Sequence, residues 1–346
     1  MKRILVRLII SLLIGAAFLY LAAGRIEFRH AWTAIKAANW NMLLPYVLCM
    51  MVQHFFRAWR WGQLLAPIHP VSFGRILPIS SVGFLAIVAL PLRMGEFVRP
   101  YLIADPPHIR MSHGLGTMAV ERVFDGVFLS LAAFTAVMEA RSRGVSVPAW
   151  VLSAGLAALG VFCIALVVLI MTLWQRERAV TLCHSLFSIF SKRLADKAAS
   201  IAEGIVEGFR VLPNIRRLGL FLGATAAYWF LNALALWIIA RGFDLQISVG
   251  AAVGLIGMVG IGIMIPAGPG FIGNFELFAE GALGLYLPRS VLDRTGAGFI
   301  LAAHTTNAGW YLITGLLALL SRHVTFSRVV QASSSPTPDD EVAEEP

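Results

Sequence analysis

Charge is what this chain is short of. Lys, Arg, Asp and Glu together make up 14% of its 346 residues, against 58% hydrophobic residues and a mean hydropathy of +0.77. A water-soluble domain carries nearer a quarter charged residues, so that class is excluded. Acids are the scarcer sign, 19 against 28 Lys and Arg. The surplus of +9 gathers beside apolar runs, where it sets topology, and is not a nucleic-acid footprint. Cysteine is nearly absent as well. Cys49, Cys163 and Cys183 are odd in number and scattered, which argues against a disulfide framework or a metal site. No phosphate-binding Walker loop, zinc-type histidine spacing or nucleophile-elbow serine occurs. No catalytic residue, metal or cofactor is therefore expected.

Long hydrophobic runs are present in number. Those able to cross a bilayer lie at residues 4–23, 43–56 (extending toward Leu65), 119–138, 150–173, 218–240 and 298–320. The first follows Lys2, Arg3 and Arg7 and is read as an uncleaved span, with Ala22-Ala23-Gly24 as the alternative signal-peptide cleavage region. Two further apolar regions, 76–102 and 249–286, are broken by helix-disrupting residues and a carboxylate. One contains Pro91, Arg93, Gly95, Glu96 and Arg99; the other contains Pro266, Gly268, Gly270, Gly273 and Glu276.

Lys and Arg counts arbitrate the topology. The segment 175–217 carries Arg176, Arg178, Lys192, Arg193, Lys197, Arg210, Arg216 and Arg217, and both chain ends are basic beside their spans. The positive-inside rule puts all three in the cytoplasm, together with Arg57, Arg60 and Arg75. Parity then requires 76–102 and 249–286 each to leave and re-enter on one face. The expectation is an all-α, polytopic membrane bundle with six crossings, two opposed re-entrant hairpins and an inverted-repeat character. A topology in which both broken regions are simple spans is the alternative. Residues 1–325 form the membrane domain, with a cytoplasmic amphipathic helical segment at 175–217. In that segment Phe187, Phe190, Leu194, Ala198, Ile201, Ile205 and Phe209 share a face. Residues 326–346 form a disordered acidic tail.

Irregular backbone and ionisable groups at membrane depth persist where they are buried in protein or line a wet cavity. Arg93, Glu96 and Arg99 are three residues apart, so Glu96 can pair with either arginine on a helix. Glu121, Arg122 and Asp125 follow; the two carboxylates share a helix face and need a cation or a proton. Together these six residues would form a nearly self-satisfied network, structural in one reading and headgroup-binding in the other. Arginine forks suit phosphate. Glu276 would add a carboxylate from the second hairpin, and the glycine-rich bend would serve as hinge and anion nest. His54 with Arg57, and His304 with Asn307, are secondary candidates, read as structural in preference to a proton relay.

The motif Arg93-x-Gly95-Glu96-x-x-Arg99-Pro100, with Glu121-Arg122-Val123-Phe124-Asp125-Gly126, resembles the lysylphosphatidylglycerol synthase transmembrane, or flippase-like, family. Pro266-x-Gly268-Pro269-Gly270-x-x-Gly273-x-x-Glu276 and Arg57-Ala58-Trp59-Arg60-Trp61 fit the same pattern. The resemblance runs from about residue 4 to about 320. It implies leaflet exchange of a polar or charged lipid, with Arg93, Glu96, Arg99, Glu121, Arg122, Asp125 and Glu276 as site residues. The family's cytosolic aminoacyl-transfer half has no counterpart here, so lipid aminoacylation is not carried over. Expected partners are membrane lipids and a lipid-synthesis enzyme, with no nucleic acid, in the inner or plasma membrane with both termini cytoplasmic. The competing readings are a membrane-embedded lipid-modifying transferase and a non-transporting partner of a lipid-synthesis enzyme.

Overall fold

The computed structural model describes residues 28–334 except 106, 107, 148, 266 and 267. The expected first span at 4–23, Pro266 and most of the acidic tail lie outside the described residues. What is described is helical. In chain order the helices are α1 (Phe28–Ala37), α2 (Leu43–Leu65), α3 (Phe73–Ala89), α4 (Val98–Ile103) and α5 (Met111–Ser142). They continue as α6 (Ala149–Trp174), α7 (Arg176–Ser188), α8 (Lys192–Glu207), α9 (Ile215–Gly242) and α10 (Val249–Met264). The last three are α11 (Asn274–Leu283), α12 (Ala297–Ala318) and α13 (Phe326–Ser334).

Among the described residues, three stretches combine the length and apolar composition of a membrane span: Met111–Ser142, Gly155–Trp174 and Ile215–Gly242. α2 and α12, at 23 and 22 residues, have the length. α2 carries its polar residues on the face it buries, where Gln53, His54 and Arg60 are all covered. The Gly155–Trp174 stretch of α6 is almost wholly uncovered, and Ile164 on it is 66% exposed. A contiguous apolar face of that size is untenable in water and natural against lipid.

Both broken regions fold back on themselves, for local reasons. α3 stops at Ala89 because Leu90 precedes Pro91 and takes extended backbone angles (φ −92°, ψ 142°). A 3-10 turn, Pro91–Phe97, then returns the chain along α3. Gly95 makes this return possible: a Cβ there would lie 2.1 Å from the Ala86 carbonyl carbon. In the second region α10 ends at Met264, and Gly270 (φ 72°) and Gly273 (φ 88°) turn the chain so that α11 packs against α10. Arg75 at the start of α3 donates to Asp105 beyond α4 at 2.7 Å, closing the first region at its open end.

That exposed bridge lets the sign of a pH effect be worked out. The Arg75 hydrogen bond holds the Asp105 carboxyl below its ordinary range. Its contribution is present above the unfolded carboxyl's pKa and fades as pH falls through the folded one. Both side chains are partly solvated, so Asp105→Asn is expected to change stability by under about 1 kcal/mol. Thermal unfolding near neutral pH checks this; a larger loss would mean that the bridge clamps the whole region.

Two expectations need correction. The amphipathic segment is not one helix: Ser191 caps α8 by accepting from the Leu194 amide, so α7 and α8 form a hairpin with Ile189 and Phe190 exposed at its tip. α8 docks on α5 through glycines, the Gly116 and Gly208 backbones approaching too closely for any Cβ. Phe209, placed on the apolar face of that segment, lies beyond α8 and is buried. The tail also begins later than 326, because Phe326–Ser334 is α13, and Arg328 in it donates to the Tyr101 carbonyl.

Candidate functional site

The fold-backs meet. Arg93 adopts a left-handed backbone (φ 57°), unusual for a side-chain-bearing residue. From the first turn it donates to the carbonyl of Ile263, near the end of α10, and to Glu96. Its guanidinium also lies 5.9 Å from the ring centroid of Phe271, a second left-handed residue (φ 58°), in the second bend. Strained backbone of this kind persists where surroundings over-determine it, and it clusters at functional sites.

Beneath this junction lies the charged core. Arg60 of α2 is fully buried and grips Asp125 with both terminal nitrogens, at 2.6 and 2.8 Å, while Nη2 also reaches Glu121 at 2.7 Å. Arg99 of α4, equally buried, donates to the other Glu121 oxygen at 3.1 Å and lies 4.2 Å from the Trp61 ring centroid. Arg122 is 3.4 Å from Glu121 and 3.7 Å from Asp125. Trp229 of α9 donates its indole N–H to Asp125 at 2.9 Å. Three helices and the first fold-back are thus tied through two carboxylates.

The six residues singled out on α4, α5 and the first turn do come together, and Glu96 takes one of its two expected partners. Glu96 pairs with Arg93, and Arg99 reaches past it to Glu121. The set is not self-satisfied, because Arg60 joins it, with Arg57 one turn earlier on α2. Both were expected in the cytoplasm; in fact α2 runs unbroken to Leu65, just before Pro67, and carries them inside the bundle. Their three-residue spacing on α2 was the available signal.

Glu276 departs from expectation as well. It faces not the arginines but His304 of α12, and it accepts from the Gly273 amide at 2.7 Å. His304 Nε2 lies 2.6 Å from the Gly270 carbonyl, pinning the bend. The Gly273 amide is therefore taken by Glu276, and the Phe271 amide is paired with the Gly268 carbonyl. Of the expected anion nest, the Gly273 amide is thus engaged by the protein itself. His304 and Asn307, by contrast, share a face of α12 with Ala308 and Tyr311, at the spacing that stacks side chains on one side of a helix.

That face borders a cavity of about 80 Å³ between the two fold-backs. Arg57, Arg93, Arg122, Asp125, Tyr228 and Asn232 also line it, with Gly270 and Phe271 from the second bend. Arg57 donates to the Tyr311 hydroxyl at 2.9 Å and lies 3.8 Å from the Phe84 ring centroid. An apolar groove of about 310 Å³ runs between the same helices α2, α3 and α12, lined by Met51, Phe55, Leu77, Trp310 and Leu317 among others. No group of three or more metal-ligating side chains occurs among the described residues. A cavity rich in guanidinium groups beside an apolar groove can seat a polar anion with a hydrocarbon attached.

The chain is similar to a UPF0104 membrane protein of Methanothermobacter thermautotrophicus, 23% identical over 292 residues that cover 81% of this chain and 83% of that one. No solved structure matches it. A family model described as the lysylphosphatidylglycerol synthase TM region matches residues 8–304. With the match spanning most of its length and helices apolar enough to span a bilayer, the chain is a membrane protein belonging to the lysylphosphatidylglycerol synthase transmembrane-region family.

Proposed function

We propose that this protein moves a polar or charged lipid between leaflets without reacting with it. The headgroup occupies the cavity between the fold-backs, and an acyl chain lies in the groove beside α2, α3 and α12. The observation that carries this reading is the meeting of two broken segments over a buried arginine-rich cavity, an arrangement with a clear use in passing charge through oil. In the proposed topology both termini and the α7–α8 hairpin face the cytoplasm of the cell membrane. The two fold-backs enter from opposite sides. Basic residues on α7 and α8, with Ile189 and Phe190 at their tip, suit contact with an anionic lipid surface.

The test is leaflet exchange of fluorescent lipids in proteoliposomes, read by quenching the outer leaflet. Arg93→Ala removes a cavity-lining cation, and Glu121→Gln removes the anchor of Arg99. Each is expected to slow exchange at least about tenfold, the scale set by losing one charged hydrogen bond. Normal exchange in both variants, with each still folded, would reject the site.

A further inference from the structure

The charges around the cavity do not cancel. Five guanidinium groups, Arg57, Arg60, Arg93, Arg99 and Arg122, face three carboxylates, Glu96, Glu121 and Asp125. The Glu276–His304 pair does not make up the difference. The Gly270 carbonyl only accepts, so His304 Nε2 carries a proton. Nδ1 faces the Glu276 carboxyl, so that contact too needs a proton, on one side or the other. With it the pair is neutral, and two positive charges remain in excess.

That surplus is concentrated on cations that line the void. Arg57 has no carboxylate within ion-pair distance among the described residues; its neighbours are the Tyr311 hydroxyl and the Phe84 ring. Arg93 and Arg122 border the same cavity, each beside a carboxylate it shares or pairs with. A buried guanidinium without a counter-charge is costly, and an incoming anion offsets that cost. The void, about 80 Å³, exceeds several-fold the roughly 10–15 Å³ that admits one water.

We infer that the cavity binds a doubly charged phosphate, a phosphomonoester or diphosphate, in preference to a singly charged phosphodiester or a zwitterionic headgroup. This rests on reading the cavity as a headgroup site. It adds the charge class of the ligand, with Arg57 as its anchor. The bound dianion neutralises the excess. The same chemistry is found on a lipid headgroup and in free phosphate, so the test separates the two.

The full chain in phosphatidylcholine nanodiscs is titrated at pH 8, above the second ionisation of a phosphomonoester (about 6). The probes are dioctanoyl phosphatidic acid, dioctanoyl phosphatidylglycerol and inorganic phosphate. Phosphatidic acid is expected to bind at least about tenfold tighter than phosphatidylglycerol, the scale of one added charged contact. Competition by inorganic phosphate would show that the phosphate group alone suffices. Its absence, with the lipid ranking intact, assigns the site to the lipid form. Arg57→Gln should bring the two lipids within about threefold of each other, while Arg57→Lys keeps the ranking. Equal binding of the two lipids to the unaltered protein overturns the inference, and that readout needs no variant to fold. Leaflet exchange measured on the same preparations keeps the two readings apart. Exchange without a charge ranking overturns this inference alone; a ranking without exchange overturns transport alone.

Discussion

Replacing Arg60 with methionine is expected to destabilise the protein by about 3–5 kcal/mol, the cost of stranding buried charges whose partner has been removed. Methionine restores much of the volume, so the loss reports electrostatics more than a cavity. Asp125 would lose both terminal guanidinium contacts at once, and Glu121 would keep only Arg99 and the more distant Arg122. Because Arg60 sits on α2, its carboxylates on α5 and its further partner Thr225 on α9, the three helices would lose a common tie. Lysine is not a remedy, since a single ammonium cannot reproduce the fork that holds both Asp125 oxygens. Yield after detergent extraction and the thermal unfolding midpoint are the measurements. If Arg60→Met matches the unaltered protein in both, the network is not what fastens α2 to α5.

Gly95→Ala is expected to open the first fold-back. An added methyl would fall 2.1–2.4 Å from the Ala86 carbonyl and the Ile87 nitrogen, backbone atoms in the body of α3 with nowhere to go. Overpacking of this kind costs about 1–3 kcal/mol and sometimes more. The functional effect should be larger than the stability loss, because the turn holds Arg93 against Ile263 and Glu96. Leaflet exchange is expected to disappear in a protein that still folds. Gly74→Ala, at the start of α3, is the control: no atom lies within 4 Å of its added methyl, and alanine is the better helix former by up to about 1 kcal/mol. Equal behaviour of the two substitutions would mean that the fold-back tolerates being pushed off α3.

Much of this architecture was readable along the chain, because its determinants are local. Apolar runs mark helices whatever they pack against, and α5, α6 and α9 appear where the runs lie. Pro91 and the glycines after residue 267 broke the segments where they were expected to. The Glu121–Asp125 spacing put both acids on one face of α5. Pairing was not legible. Glu121 and Asp125 find their main cation on Arg60, more than 60 residues earlier, and Glu276 finds His304 on another helix. Arg57 and Arg60 were misplaced because a positive-inside count treats arginine near the end of an apolar run as a loop charge, and only the packed bundle shows them turned inward.

Composition and motif order alone determined the solvent this protein lives in, its helical class, its family resemblance and the two places where the chain doubles back. Each follows from the chemistry of neighbouring residues. The tertiary structure alone decided which charges meet, that the cations outnumber the acids around the cavity, and that the glycine-rich bend is held by a histidine. Those depend on distances between segments far apart in the chain, and Coulomb energy in a low-dielectric interior is set by distance through space, not along the sequence.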